Sequence, residues 1–487
     1  DQVLLAPVFH SGRRCGFVMG WAHFSDIGGL RAGSISPDTT DIFQEGIIVP
    51  PIRLARDGVF NEEALRIFVR NSRFPKMVTG DIRAAVAAVR LGERRLVELF
   101  ERFGRAGTLA AFDAARAETR AVVTQRFAET FKSGTYRFTE SIAHDGQGNG
   151  PFALRFEMRA SSNGITIATS ASDDQARGPI NFIMSPDVPR MAFGIYFLSH
   201  DPAVLLNDGA LHAVQEVRTR PGSILQPNFP APLGQRGITL IRVMTSCLGL
   251  INVATGGKGV ASSNVYVIYY LRGLDPHSGE PFLLTDGIAV GYGARSFADG
   301  IDAVYLVANE NYPAEFLDLS YPVRLLRYAI NPDSGGPGRH RGGCGVIREI
   351  EVLAEEAMLS IRIEANPPWG VAGGQSGRGG RCVINPGRPD ERVIAPLSDG
   401  TILRRGDVIR IETGGGGGWG HPFDRPPKDV QADVRGGFVT QAAAREDYGV
   451  VLTAAGRAID PEATAALRRD RFPTRMFHRG DYVDALT

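Results

Sequence analysis

The residues whose types and spacing suit chemistry are few in this chain, and they gather near its start. His23 and Asp26 stand in Trp21-Ala22-His23-Phe24-Ser25-Asp26-Ile27-Gly28-Gly29, where an apolar run gives way to a glycine-rich loop. A neutral imidazole and a carboxylate are good ligands for a divalent metal. A strand end would hold them rigidly, and the loop beyond would leave a coordination position open. Asp1 adds a second carboxylate if its strand pairs beside Ala22. The plainer reading is a hydrogen-bonded histidine at a loop boundary, and the residues alone leave both readings open.

The common templates fail elsewhere. Lys258 follows Gly257, but Asn252 stands where a phosphate-binding loop needs its first glycine and Gly259 where it needs Ser or Thr. No dinucleotide fingerprint joins a strand to a helix. There is no H-E-x-x-H zinc helix and no G-x-S-x-G nucleophile elbow. This chain is therefore not expected to bind ATP by itself.

The elements that must position His23 are legible from periodicity. Val3 to Phe9 and Cys15 to Ala22 are apolar strands joined by Ser11-Gly12-Arg13-Arg14, a hairpin pattern that carries His23 to a strand end. The first reads as a buried strand already under way, so an upstream segment is expected. The stretch from Asp26 to Pro51 is too broken by turn formers for regular structure and too long for an ordinary connection. From Asn61 to Phe131 the apolar spacing becomes helical. Ile82, Val86, Val89, Leu96, Leu99, Phe100 and Phe103 mark one face; Phe112, Val122, Val123, Phe127 and Phe131 mark the next, as in a helical hairpin. From Gly134 to Ile411 short alternating runs predict strands, interrupted by helices at Met191 to Leu206 and Gly237 to Asn252. The expected class is α+β with mixed β-sheets, a helical hairpin insertion, several lobes and glycine-rich loops. Four regions follow: 1–60, the hairpin and its loop; 61–133, helical; 134–430, the β-rich core; and 431–487, a C-terminal segment.

The 59 glycines concentrate in loops such as Gly256-Gly257-Lys258-Gly259, Gly335-Gly336-Pro337-Gly338, Gly342-Gly343, Gly373 to Gly380, and Gly414 to Gly418. Tight turns explain any one of them. Five consecutive glycines also suggest a backbone approached closely by a ligand or a partner chain.

Composition narrows the partners. A chain of 487 residues that is 43% hydrophobic can bury a large core. Lys and Arg number 54 against 53 Asp and Glu, so no excess charge exists to bind nucleic acid or an anionic membrane. No apolar run reaches the roughly 20 residues that span a bilayer, and no signal core opens the chain, so a cytoplasmic protein is expected. Cys15, Cys247, Cys344 and Cys382 lie far apart and read as free thiols.

The segment from Trp21 to Gly29, continuing Ser34-Ile35-Ser36-Pro37-Asp38-Thr39-Thr40-Asp41-Ile42-Phe43-Gln44-Glu45-Gly46 and ending Pro50-Pro51, resembles the hydantoinase B signature. Further resemblances follow in family order: Asn71-Ser72-Arg73, Gly80-Asp81-Ile82-Arg83-Ala84, Pro221-Gly222-Ser223, Gly300-Ile301-Asp302-Ala303, Asn331 to Gly336, Gly338 to Gly343, and Thr413 to Gly420. They span nearly the whole chain. The resemblance to the hydantoinase B and 5-oxoprolinase beta-type subunits implies an ATP-dependent hydrolase acting on C–N bonds of cyclic amides. It implies a hetero-oligomer in which a hydantoinase A type, kinase-like partner binds ATP and activates the carbonyl. It also implies a divalent metal, zinc or manganese, held by Asp1 and His23, whose first histidine ligand would precede Asp1. His23 and Asp26 are the catalytic candidates, Asp26 as base or as orienter of His23. Trp21 replaces the arginine usual in the family. Relatives that carboxylate acetone or acetophenone make a ketone carboxylase subunit the alternative, and a non-catalytic scaffold the third.

Overall fold

The two apolar runs at the start fold as a two-stranded ribbon, β1 (Gln2–His10) against β2 (Arg13–Ala22), with Gln2 opposite Ala22. Ser11 and Gly12 both take positive φ in the turn, which suits the twist of a tight hairpin. The computed structural model describes residues 2–33, 36–162, 164–199, 201–306, 309–453 and 458–479. After the long loop come two short strands, β3 (Ala55–Arg56) and β4 (Val59–Phe60), and three helices, α1 (Glu62–Arg70), α2 (Pro75–Phe103) and α3 (Arg105–Thr130). Asn61 starts α1 by accepting the N–H groups of Glu63 and Ala64, and Pro75 occupies the first turn of α2.

The ribbon lies on α2 and corrects one expectation. Leu4 and Val8 are buried, whereas Val3, Leu5, Phe9, Phe17, Met19 and Trp21 are more than half exposed. Successive side chains of a strand point to opposite faces, and only one face of this ribbon meets the helix. Gly92 allows the approach, since a Cβ there would press 2.7 Å from Val18 Cγ1.

A four-stranded sheet follows, in the order β5 (Gly134–Ile142), β6 (Phe152–Ser161), β7 (Gly164–Ala168), β8 (Val214–Arg218), its last pair parallel. Helices α4 (Asp187–Leu198) and α5 (Arg236–Thr255) pack against it. The first was expected to run to Leu206 but stops at Leu198, just before Asp201-Pro202, a dipeptide that disfavours helix. Phe127 of α3 and Phe131 just after it meet Phe193 and Phe197 of α4 with ring centroids 5.7 to 6.4 Å apart. Among the described residues α5 alone is long and apolar enough to cross a bilayer, yet it is a core helix with most of that stretch buried. It carries the buried ion pair of Arg242 with Glu364, 2.9 Å apart.

The rest is a sandwich. In chain order its elements are β9 (Val267–Leu274), β10 (Pro281–Ile288), α6 (Ala314–Ser320), β11 (Val323–Ile330), β12 (Val346–Val352), β13 (Glu356–Arg362), β14 (Gly370–Val371), β15 (Arg381–Ile384), β16 (Arg392–Ile394), β17 (Leu397–Arg404) and β18 (Val408–Glu412). One sheet runs β10-β9-β13-β17 and the other β11-β12-β18-β15-β16. Val267, Tyr269 and Leu271 of one sheet share a core with Ile350, Ile409 and Ile411 of the other. Helices α7 (Pro427–Gly436), α8 (Gln441–Glu446) and α9 (Pro461–Arg469) follow, and β19 (Phe477–His478) pairs with β14. This is α+β with several sheets and a helical hairpin, as its periodicities predict.

Four of these glycine loops, all but Gly256 to Gly259, resolve into one object. Residues Gly414 to Gly418 run extended and buried, with each bond made to a different neighbour. The N–H groups of Gly415, Gly416, Gly417 and Gly418 donate to the carbonyls of Arg378, Gly343, Ser262 and Gln375. In return, Gly414, Gly416, Gly417 and Gly418 accept from Gly291, Gly336, Ala294 and Val371. A Cβ on Gly416 or Gly417 would overlap the carbonyl of Tyr292 or of Trp369. The close approach expected of a ligand or partner is made by the chain's own backbone. Cys247, Cys344 and Cys382 are buried thiols and Cys15 is half-buried; all four are free.

Candidate functional site

Strands β9, β10 and β13, the start of α5 and the segment after β2 converge on a cavity of about 300 Å³. The alternation of β9 sends Val267, Tyr269 and Leu271 into the sandwich, leaving Tyr266, Ile268 and Tyr270 to face the cavity. Pairing sets the neighbours: Thr285 of β10 stands opposite Tyr270, and Arg362 of β13 opposite Ile268. The start of α5 contributes Arg236, Gly237 and Leu240, and the segment after β2 contributes His23 beside Trp21. The His23 and Trp21 rings meet edge to face at 5.4 Å.

Charge in the cavity is one-sided. Arg236 and Arg362 line it, and among the described residues no carboxylate does. His23 is pushed down to about 4, first by burial and then by the positive charges of Arg236 and Arg362. Its imidazole is therefore neutral at physiological pH and carries a lone pair able to take a proton or a metal. Burial also lowers the proton affinity of Arg236, with Arg362 adding repulsion and Glu45 opposing both. The Arg362 guanidinium lies 4.5 Å over the Tyr266 ring. Gly237 lets it pass, because a Cβ there would sit 2.6 Å from Arg362 Nη1.

The long loop after β2 sets the cavity's wall. Glu45, at the end of the 3₁₀ turn Ile42–Glu45, accepts the backbone N–H groups of Leu233 and Gly234 at 2.8 and 2.7 Å and the hydroxyl of Thr39 at 2.8 Å. It thereby fixes the turn that leads into Arg236. Burial raises the Glu45 pKa in spite of these donors. Arg31 reaches Asp399 of the sandwich at 3.1 Å and Asp38 at 2.6 Å.

The residues singled out from the sequence are not brought together. His23 lines the cavity. Asp26 is buried elsewhere: its Oδ2 accepts the backbone N–H of Arg73 at 2.6 Å and the Ser72 hydroxyl at 3.3 Å. Its Oδ1 lies 3.6 Å from Arg73 Nη2. Asp1 lies outside the described residues. Among the described residues no three His, Cys, Asp or Glu side chains form a metal-sized group. His23 fits as one donor, fewer than the roughly three protein ligands a catalytic zinc takes. Arg236, Arg362 and the tyrosines form no motif in sequence because their positions lie far apart, and Glu45 stands in the signature segment with nothing local to mark its role.

A family model described as Hydantoinase B/oxoprolinase matches residues 1–422. The B-type component of a candidate D-/L-hydantoinase from a Pseudomonas species is 29% identical over 96% of this chain and 81% of its own length. The beta component of the caprolactamase of Pseudomonas jessenii is 28% identical over 96% and 82%. The crystal structure of the ATP-dependent caprolactamase from that organism superposes with a TM-score of 0.83 at 25% identity, over 96% of this chain and 82% of that one. Acetone carboxylase without nucleotide shares the fold, with a TM-score of 0.79 at 21% identity over 96% and 69%.

Proposed function

The chain belongs to the hydantoinase B/oxoprolinase family, and from that premise we propose that it is the subunit of an ATP-dependent cyclic-amide hydrolase that opens the ring. The observation that carries this reading is the cavity: small, walled by Phe182, Leu240 and Ile268, and equipped with a neutral His23 and two guanidinium groups. It suits a ring amide whose carbonyl oxygen has been phosphorylated elsewhere. The absence of a nucleotide motif from this chain and the names of its relatives, which are components of larger enzymes, support a hydantoinase A type, kinase-like partner as the ATP-binding component.

In this scheme a first water attacks the activated carbonyl carbon and the ring C–N bond breaks as the nitrogen takes a proton, leaving an acyl phosphate that a second water hydrolyses to the carboxylate and phosphate. His23 accepts the proton of the attacking water, and the apolar wall keeps other water out. Asp26 acts at one remove, locking the loop after His23 onto the turn between α1 and α2. A divalent zinc or manganese ion held by His23 and Asp1 would supply Lewis acidity, and His23 would then hold the ion instead of accepting the proton. Metal analysis tests that part: roughly one ion per chain, lost in His23→Ala, supports it, and a metal-free active enzyme rejects it.

The decisive assay is ATP turnover by the chain co-purified with its kinase-like partner. Ring-amide-dependent ATP hydrolysis without bicarbonate is the expected result. Dependence on a simple ketone plus bicarbonate would reassign the chain to the carboxylases that share its fold. His23→Ala is expected to abolish turnover while leaving the thermal transition in place.

A further inference from the structure

A buried guanidinium with orphaned nitrogens lines this cavity. Arg362 is 3% exposed, and its Nε and Nη2 are buried without a hydrogen-bond partner. A guanidinium in that condition is costly unless an acceptor completes it. Arg236 stands across the same cavity at the N-terminal end of α5, where the helix dipole adds partial positive charge.

We propose that Arg236 and Arg362 form a subsite for an anionic oxygen group of the substrate, a carboxylate or a phosphoryl group, set against His23. A guanidinium offers a planar pair of donors to either group. The cation–π contact with Tyr266 holds Arg362 in place while its Nε and Nη2 have no hydrogen-bond partner. A carboxylate would belong to the ring amide itself; a phosphoryl group would be the one placed on its carbonyl oxygen.

The proposal rests on reading the cavity as the ring-amide site, and calorimetric titration of the full chain tests it without turnover. The probes are 5-oxoproline, 2-pyrrolidinone, which is the same ring without the carboxylate, and inorganic phosphate. At least one anion is expected to bind roughly tenfold or more tighter than 2-pyrrolidinone, with affinity falling as salt rises. Preference for 5-oxoproline assigns the subsite to the substrate's carboxylate, and preference for phosphate assigns it to the phosphoryl group. Arg362→Met is expected to lose that binding and Arg362→Lys to keep part of it. The subsite is overturned if the wild-type chain binds neither anion more tightly than the neutral lactam, or if Arg362→Met binds as wild type does. Turnover of neutral lactams without anion binding would remove the subsite and keep the hydrolase. Anion binding without turnover of any ring amide would do the reverse.

Discussion

At the scale of single residues, the buried carboxylates of this protein do structural work that sequence does not advertise. Asp145 accepts four hydrogen bonds, from the backbone of Gln147, Asn149 and Gly178 and from the Asn149 side chain, at 2.8 to 3.0 Å. Burial would raise its pKa, but the donors outweigh burial and hold it below its ordinary 3.8. The folded state therefore binds this proton less readily than the unfolded chain. Its contribution to stability is present above pH 3.8 and lost as pH falls through the lower folded value. Asp145→Asn should cost about 1–3 kcal/mol at neutral pH. In urea unfolding the gap from wild type should close as the solution is acidified, and a gap indifferent to pH would refute this account. Glu45→Gln should weaken the fold by a similar 1–3 kcal/mol, because an amide cannot accept from Leu233, Gly234 and Thr39 together. His23 was legible as a functional candidate because it sits in a dense local motif. Glu45 lay inside the same signature, but its partners Leu233 and Gly234 are about 190 residues away, and nothing local announces those bonds.

At the scale of elements, periodicity located the secondary structure and left its surroundings open. The helical spacing from Asn61 to Phe131 became α1, α2 and α3, since it repeats over many turns. The apolar run of β1 marked a strand correctly, but an apolar residue looks the same whether its face is covered or bare, so Val3 and Leu5 read as buried in sequence and are exposed in the fold. The alternation in β9 divides one strand between the sandwich core and the cavity, which only the pairing with β10 and β13 reveals. A test of this geometry is Gly237→Ala. Alanine favours helix over glycine by about 1 kcal/mol, so thermal stability should hold or rise slightly. The new Cβ, 2.6 Å from Arg362 Nη1, should displace the guanidinium and weaken anion binding roughly tenfold. Unchanged binding in calorimetry would show that Arg362 reaches the cavity by another route.

At the scale of the whole molecule, the C-terminal segment is tied to the sandwich by charge. Arg425 joins Asp299 at 2.7 Å and Asp433 at 2.8 Å, while Arg341 joins Asp302 at 2.7 Å and Asp433 at 3.2 Å, all with both arginines buried. Removing one partner from such a network costs roughly 3–5 kcal/mol. Asp433→Ala should lower the thermal midpoint by several degrees and open the segment after Arg425 to limited proteolysis; a protease-resistant variant with the wild-type midpoint would contradict this. No spacing rule foresees the network, for Asp299 and Arg425 approach only when the whole chain has folded.

The glycine lattice behaves differently from any such network, because it has few side chains to lose. Its strands come from Ser262, Gly291 to Ala294, Ser334 to Gly343, Trp369 to Arg378 and Gly414 to Gly418, and each is held largely by the others. Two of these segments alone would bury almost no apolar surface and would order the most flexible residues the chain possesses. Assembly must therefore wait until segments some 150 residues apart arrive together, the condition under which folding is slowest. The hairpin of α2 and α3, built from neighbours in sequence, should protect its amides early in pulsed hydrogen exchange. Residues Gly414 to Gly418 should be among the last to do so, and synthesis has to pass Gly418 before that lattice can close.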